Sequence, residues 1–387
     1  MIDKDLEKGK KIILLGTQMA TGGAQKALLT QGEWFFNNGY HVAGIFFYDR
    51  DNLSHKYKDT YAYPIYNLKS WDKNSNKLKK TMLLIKGLFH LIKLFKTLKP
   101  DVIITYTHHS NLLGIPLAKV AKIPIRIATH RGNILGFTKW QEYLHTQLIN
   151  SKLTTCLVSN SEYGKDQSIL KGVNPVKVYV IRNGVSIPSP NLKAIRDLRK
   201  KLIVNNDTKL ILSVGRLTHE KGHDLLIEAF HEVVITFPNI LLLIAGDGIL
   251  KNDYINLASK LMIENKVVFL GNTNDVFTYM AASDIFVIPS RSEGMPNALL
   301  EAMGIGAPAI GFDVGGIGEI IENWENGMLA IPEDPQSLAI TIKLLLTDKY
   351  LRKKIADAGK MHIRKEYSFE LMCKKYSELI ENLENIN

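Results

Sequence analysis

Cysteine is nearly absent: Cys156 and Cys373 stand far apart, and neither has a second cysteine at ligand spacing. That usage argues against a disulfide framework or a zinc site and fits a reducing cytoplasm. Long apolar runs are missing too. The first, Ile12 to Leu15, is far too short for a signal peptide or a membrane span, so any membrane contact is expected to be peripheral. No short-period repeat or low-complexity tract interrupts the chain. A dinucleotide fingerprint is lacking, since Gly16 is followed by five non-glycine residues before Gly22, and a dehydrogenase reading loses support. With 45% hydrophobic and 22% charged residues, the composition excludes disorder, collagen and coiled coil.

What is present reads as two α/β domains. A chain of 387 residues exceeds what one core usually organises. Short β-branched runs alternate with amphipathic helical stretches, the pattern of parallel sheets covered on both faces. The first set of expected strands is Lys11–Leu15, Val42–Phe47, Val102–Tyr106, Ile125–Thr129, Thr154–Val158 and Val178–Ile181. The second is Leu210–Val214, Leu241–Ala245, Val267–Leu270, Ile285–Pro289 and Pro308–Ile310. Between them, Ile187-Pro188-Ser189-Pro190-Asn191 is unsuited to helix or central strand and reads as a linker. The expected organisation is a Rossmann-like domain over 1–187, a second over 192–368, and a final helix in 369–387 that crosses back to the first. Residues 1–190 carry 27 basic and 12 acidic side chains, a balance of +15, whereas 191–387 come to −4. The halves therefore meet different partners, and a basic half suits nucleic acid, an anionic membrane or an acidic substrate.

Chemistry concentrates in two segments of the second half. In IFVIPSRSEGMPNALLEAMG, Glu293 and Glu301 flank seven residues just after a strand. Ligands of open α/β sheets bind beyond the carboxyl ends of strands, which is where Glu293 falls. The spacing suggests that Glu301 lies two helical turns further on the same face. One carboxylate would take sugar hydroxyls and the other ribose hydroxyls. Gly294, Met295, Pro296, Asn297 and Ala298 between them offer a helix N-terminus suited to a diphosphate. Two solvated carboxylates are the plain alternative. In SVGRLTHEKGHDLLIEAF, Arg216 and Lys221 lie in the turn between a strand and a helix. Fixed cations there would stabilise a departing diphosphate without a metal.

Together with the turn Gly22-Gly23-Ala24-Gln25, Thr129-His130, Ile181-Arg182-Asn183-Gly184-Val185 and Ala245-Gly246-Asp247-Gly248, these segments resemble glycosyltransferase family four, a large retaining GT-B family, in its order along most of the chain. The resemblance implies two Rossmann-like domains facing across a cleft and closing about residues 186–192, with the acceptor on the first and the nucleotide-sugar donor on the second. It implies that Arg216 and Lys221 hold the diphosphate, Glu293 the transferred sugar and Glu301 the ribose. Gly22, Gly23, Gly246 and residues 295–298 would line the donor, and His130 would sit near the sugar's far hydroxyl. Many members have His-Gly or His-Asn where this chain has His130-Arg131-Gly132, so Arg131 is expected to tune acceptor or donor choice. No cofactor or metal is implied. Transfer of a hexose or N-acetylhexosamine from a UDP-sugar to a saccharide or lipid-linked acceptor, in cell-surface polysaccharide or glycolipid synthesis, is the expected activity. A GT-B epimerase, a silent nucleotide-sugar binder and, more distantly, a nucleic-acid binder lacking any recognised motif are the alternatives.

Two further segments bear on function. Asp49-Arg50-Asp51 has the look of a metal-binding aspartate pair but reads better as a solvated loop, because a single-domain fold would leave the second series of strands unexplained. Lys77 to Lys99 is a basic, apolar helix with a polar stripe of Lys79, Lys86, His90, Lys93 and Thr97. It serves either as a cover helix or at an anionic leaflet, which would put the protein at the inner face of the plasma membrane.

Overall fold

The computed structural model describes residues 9–20, 23–131, 138–202, 207–273 and 275–385. Its apolar runs pair into two sheets. The first contains β1 (Lys11–Met19), β2 (His41–Asp49), β3 (Ile65–Asn67), β4 (Val102–Thr105), β5 (Ile125–His130), β6 (Cys156–Ser159) and β7 (Val178–Val180), in the order β3-β2-β1-β4-β5-β6-β7. The second contains β8 (Lys209–Val214), β9 (Ile240–Ala245), β10 (Val267–Gly271), β11 (Ile285–Ile288), β12 (Ala309–Phe312) and β13 (Met328–Ala330), in the order β10-β9-β8-β11-β12-β13. Every pairing between these strands is parallel. Helices cover the sheets, so central strands such as Ile12–Leu15 and Leu210–Leu212 are buried throughout.

Two strands had no counterpart in the sequence reading. β3 and β13 have three residues each and sit at sheet edges, too short to show a period. β1 and β2 also run on to nine residues each, through Thr17-Gln18 and Tyr48-Asp49, where the ladder continues past the apolar stretch.

The chain divides into two compact units, Met1–Arg182 with Met372–Asn387, and Asn183–Leu371. The division precedes the proline-containing segment. Val185 bridges to Ser368, and Ile187 packs against Gly304, which ties 183–187 into the second unit. Within the first unit, Ser377 of the last helix, Phe369–Glu384, hydrogen-bonds Tyr40 at 2.5 Å, and Glu384 pairs with Lys10. Both cysteines are buried, and neither forms a disulfide among the described residues. No described helix is long and apolar enough to cross a membrane.

In the second unit, Gly246 directly follows β9, has φ +138° and donates its N–H to Gly271 O at 2.8 Å. A Cβ there would collide with the Gly215 carbonyl oxygen, a backbone atom that cannot swing aside. Gly246→Ala is therefore expected to lower stability by at least about 2 kcal/mol, read as a lower unfolding temperature; an unchanged transition would contradict this packing.

Candidate functional site

The second sheet reverses its winding between β8 and β11, which are neighbours although the chain leaves β8 towards β9 and β11 towards β12. Loops beyond such a switch point enclose a crevice. Here they are residues 215–222 after β8 and 289–296 after β11. They touch at Gly222, whose φ of +64° is left-handed and where a Cβ would strike the Pro289 carbonyl oxygen. The contact brings two sequence-expected residues together: Lys221 Nζ lies 2.6 Å from Glu293 Oε1. Ser290 Oγ donates to the same oxygen at 2.8 Å. The Glu293 side chain is only 9% exposed, and a carboxylate so enclosed requires such partners. Arg216 instead remains on the surface, paired with Glu220 at 3.0 Å.

Glu293 and Glu301 do not share a helix face. The helix begins only at Asn297, because Met295 precedes a proline and Pro296 is extended, with ψ 112°. Glu293 thus belongs to the loop, and Glu301 to the helix Asn297–Ile305, half-buried. No side chain caps that helix. Asn183 Nδ2 steadies its approach, donating to the Met295 carbonyl at 3.2 Å and Asn297 Oδ1 at 3.0 Å, while Met295 is buried and Ala298 lies in the first turn. Gly246 underlies Gly215 as described.

In the first unit His130 is the last residue of β5 and is buried. Its Nδ1 lies 2.8 Å from Ser168 Oγ, which donates to the Gly164 carbonyl at 2.8 Å. His108 meets His130 edge to face at 5.3 Å and His145 at 4.4 Å, and Asn111 Nδ2 reaches His145 Nε2 at 2.9 Å. A cavity of about 20 Å³ between these side chains has room for one water. Arg131 lies 4.8 Å over the Tyr106 ring and hydrogen-bonds Tyr376. Gly22 lies outside the described residues, and Gly23 opens the helix Gly23–Asn37. The Asp49 carboxylate is occupied locally, accepting from the amides of Leu53 at 2.9 Å and Ser54 at 2.8 Å. Among the described residues no cluster of His, Cys, Asp or Glu is arranged to hold a metal ion.

Residues 194–362 match the family model described as Glycosyl transferases group 1, and residues 21–187 match Glycosyltransferase Family 4. A UDP-Gal:alpha-D-GlcNAc-diphosphoundecaprenol alpha-1,3-galactosyltransferase of Escherichia coli is 30% identical over 278 residues, 69% of this chain and 72% of that protein. The chain belongs to glycosyltransferase family 4. An uncharacterised glycosyltransferase of Methanocaldococcus jannaschii is similar at 31% identity, over 72% of this chain and 74% of its own. The crystal structure of Anabaena HepE in complex with UDP-glucose superposes with a TM-score of 0.83 at 22% identity, covering 96% of this chain and 99% of that one, and shares its fold. The protein is a glycosyltransferase of GT-B fold, built from two Rossmann-like domains.

Several residues of this glycosyltransferase escaped the sequence reading. Ser290 is fully buried against Glu293, and Arg291 makes a bidentate pair with Asp224 at 2.9 and 2.6 Å. The signal was opposite charge in two loops already singled out, with Asp224 three residues after Lys221 and Arg291 two before Glu293. His223 is buried with neither ring nitrogen hydrogen-bonded among the described residues.

Burial makes three of these imidazoles poor bases. It pushes His223 down to about 4, with Lys221 adding to the effect, and His145 down to about 4, with His130 and Lys171 adding. His108 is pushed further below its ordinary range, first by burial and then by His145. Unfolded histidines titrate near 6.5, so below that pH the unfolded chain binds protons that the fold refuses. Stability is then expected to fall as pH drops from 6.5 towards 4, by up to about 1.4 kcal/mol per pH unit for each such histidine. His145→Gln, which retains an acceptor for Asn111, should flatten the decline in an unfolding-temperature series; an equally steep variant would contradict the neutral assignment.

Proposed function

We propose that the enzyme is a retaining, metal-independent transferase that moves a hexose or N-acetylhexosamine from a UDP-sugar to a saccharide or lipid-linked acceptor in cell-surface polysaccharide or glycolipid synthesis. The observation that carries this reading is the Lys221–Glu293 pair at the switch point of the second sheet, a cation and a carboxylate side by side where a ligand is expected. The E. coli relative, named for a UDP-Gal donor and a diphosphoundecaprenol-linked acceptor, supports the substrate classes. The UDP-glucose complex of Anabaena HepE supports the nucleotide.

In this reading Lys221 and Arg216 hold the diphosphate, and the backbone at Gly246 and Met295–Ala298 lines the donor, with Pro296 and Asn297 at the helix start. Glu301 takes the ribose and Glu293 a hydroxyl of the transferred sugar. The bond from anomeric carbon to phosphate oxygen breaks while the acceptor hydroxyl attacks from the same face, and its proton passes to the departing phosphate. Lys221 and Arg216 meet the charge that develops there. In EDTA, UDP-sugar at a hundred times its dissociation constant should stabilise the protein by about 2.7 kcal/mol. Glu293→Ala should keep the fold and lose transfer at least about a hundredfold. Full transfer by that variant, or a wild-type enzyme silent in EDTA and restored by magnesium, would overturn the assignment.

We further propose peripheral contact between the first unit and the anionic inner face of the plasma membrane, through the helix Lys77–Leu98. Gly87, Leu91 and Phe95 face the core, whereas Leu78, Met82, Ile85 and Phe89 form an outward apolar row at i, i+4, i+7 and i+11, with Leu78 72% and Phe89 70% exposed. Lys79, Lys86 and Lys93 run beside that row, and no acidic residue occurs from Lys73 to Pro100. Replacing the three lysines with glutamine should weaken binding to phosphatidylglycerol vesicles about a hundredfold, at about 1 kcal/mol each. Leu78→Ser with Phe89→Ser should weaken it as well, and unchanged binding in both variants refutes the contact.

A further inference from the structure

Lys221 and Glu293 are separated by 72 positions, and something must hold their loops in register. Arg291 does so from inside the carboxylate's own loop. Its Nη1 and Nη2 donate to the two oxygens of Asp224 at 2.9 and 2.6 Å, and Nη1 also donates to the His219 carbonyl at 2.7 Å. Its Nε donates to Glu333 at 3.2 Å, and its backbone N–H to the Glu220 carbonyl at 2.9 Å. One residue thus grips both ends of the turn that carries Lys221, while its neighbour Ser290 holds Glu293. The Arg291 side chain is 14% exposed. Its hydrogen bonds and charge overcome the effect of burial and hold Asp224 below the usual carboxylate range.

The planar fork matters here. A guanidinium satisfies a carboxylate and a carbonyl at fixed angles, whereas an ammonium on a flexible stem keeps the charge and loses the geometry. Without either, Asp224 would be a half-buried carboxylate that has lost its bidentate partner, three residues from Lys221. We propose that Arg291 is a positioning residue for the donor: through Asp224 and the 219–220 carbonyls it sets the separation of Lys221 and Glu293, and so the fit to a diphosphate with a sugar attached. The inference rests on the reading that Lys221 takes the diphosphate and Glu293 the sugar.

The test is titration calorimetry of UDP-glucose, UDP and UMP against the wild type, Arg291→Lys and Arg291→Met, with unfolding temperatures and steady-state kinetics alongside. UDP-glucose should bind about tenfold more weakly to Arg291→Lys and weaker still to Arg291→Met, with KM rising more than kcat falls. UMP, which reaches neither the second phosphate nor the sugar, should bind all three proteins alike, even where Arg291→Met unfolds at a lower temperature. Wild-type affinity for UDP-glucose in both variants overturns the inference. So does a loss shared equally by UMP and tracking a lowered unfolding temperature, which marks a structural role only. The underlying reading fails separately: if Lys221→Ala and Glu293→Ala bind UDP-glucose as the wild type does, the site assignment falls, and the positioning role with it.

Discussion

A parallel sheet covered on both faces has nowhere to keep polar chemistry except beyond the ends of its strands. Every strand residue from Leu210 to Leu212 and from Ile285 to Ile288 is apolar and buried. Within a few residues of those ends the character changes to Arg216, Lys221, Ser290 and Glu293. The reversal of winding between β8 and β11 parts the helices that would otherwise close over these loops. Glycine then lets the loops meet, since a side chain at Gly222 or Gly246 would strike backbone.

The charges brought together this way are arranged in pairs of unequal exposure. Glu293 is enclosed and takes both Lys221 and Ser290 on one oxygen, while Arg216 pairs with Glu220 on the surface. Exposed pairs of the second kind are worth little and exchange easily, whereas breaking an enclosed pair leaves a charge without compensation. Under the proposed reading a diphosphate offers Lys221 a replacement anion at the moment the sugar offers Glu293 a hydroxyl. The Lys221–Glu293 pair is close to neutral by itself, and on this reading the donor exchanges one set of partners for another.

The sheets were legible because continuous apolar runs such as Ile12–Leu15 and Ile285–Ile288 cannot be mistaken for surface. β3 and β13 were not, because three residues at an edge carry no pattern. Glu293 and Lys221 were found from loops after strands, but the helix start was misjudged: Pro296 delays it, and the common face with Glu301 disappears. Arg291 and Asp224 were passed over because a contact across 67 positions leaves no local trace. His130 was visible as a residue at a strand end. Its burial against His108 and Ser168 was not, since those partners come from two helices whose packing no short motif encodes.

The helix Lys77–Leu98 shows the same limit from the other side. Its sequence is apolar enough for two faces, and nothing local says that Phe95 points inward and Phe89 outward. A cover helix needs only the inward face. The outward row of Leu78, Met82, Ile85 and Phe89 adds nothing to the core of its unit and would favour association unless something covers it. A protein partner would be expected to meet charges of both signs around such a row. Here the segment from Lys73 to Pro100 carries lysine and no carboxylate, with Asp72 acting on Lys79 and Lys80 only at its start, and under the proposed contact an acyl layer beneath anionic headgroups answers the apolar row and its lysines.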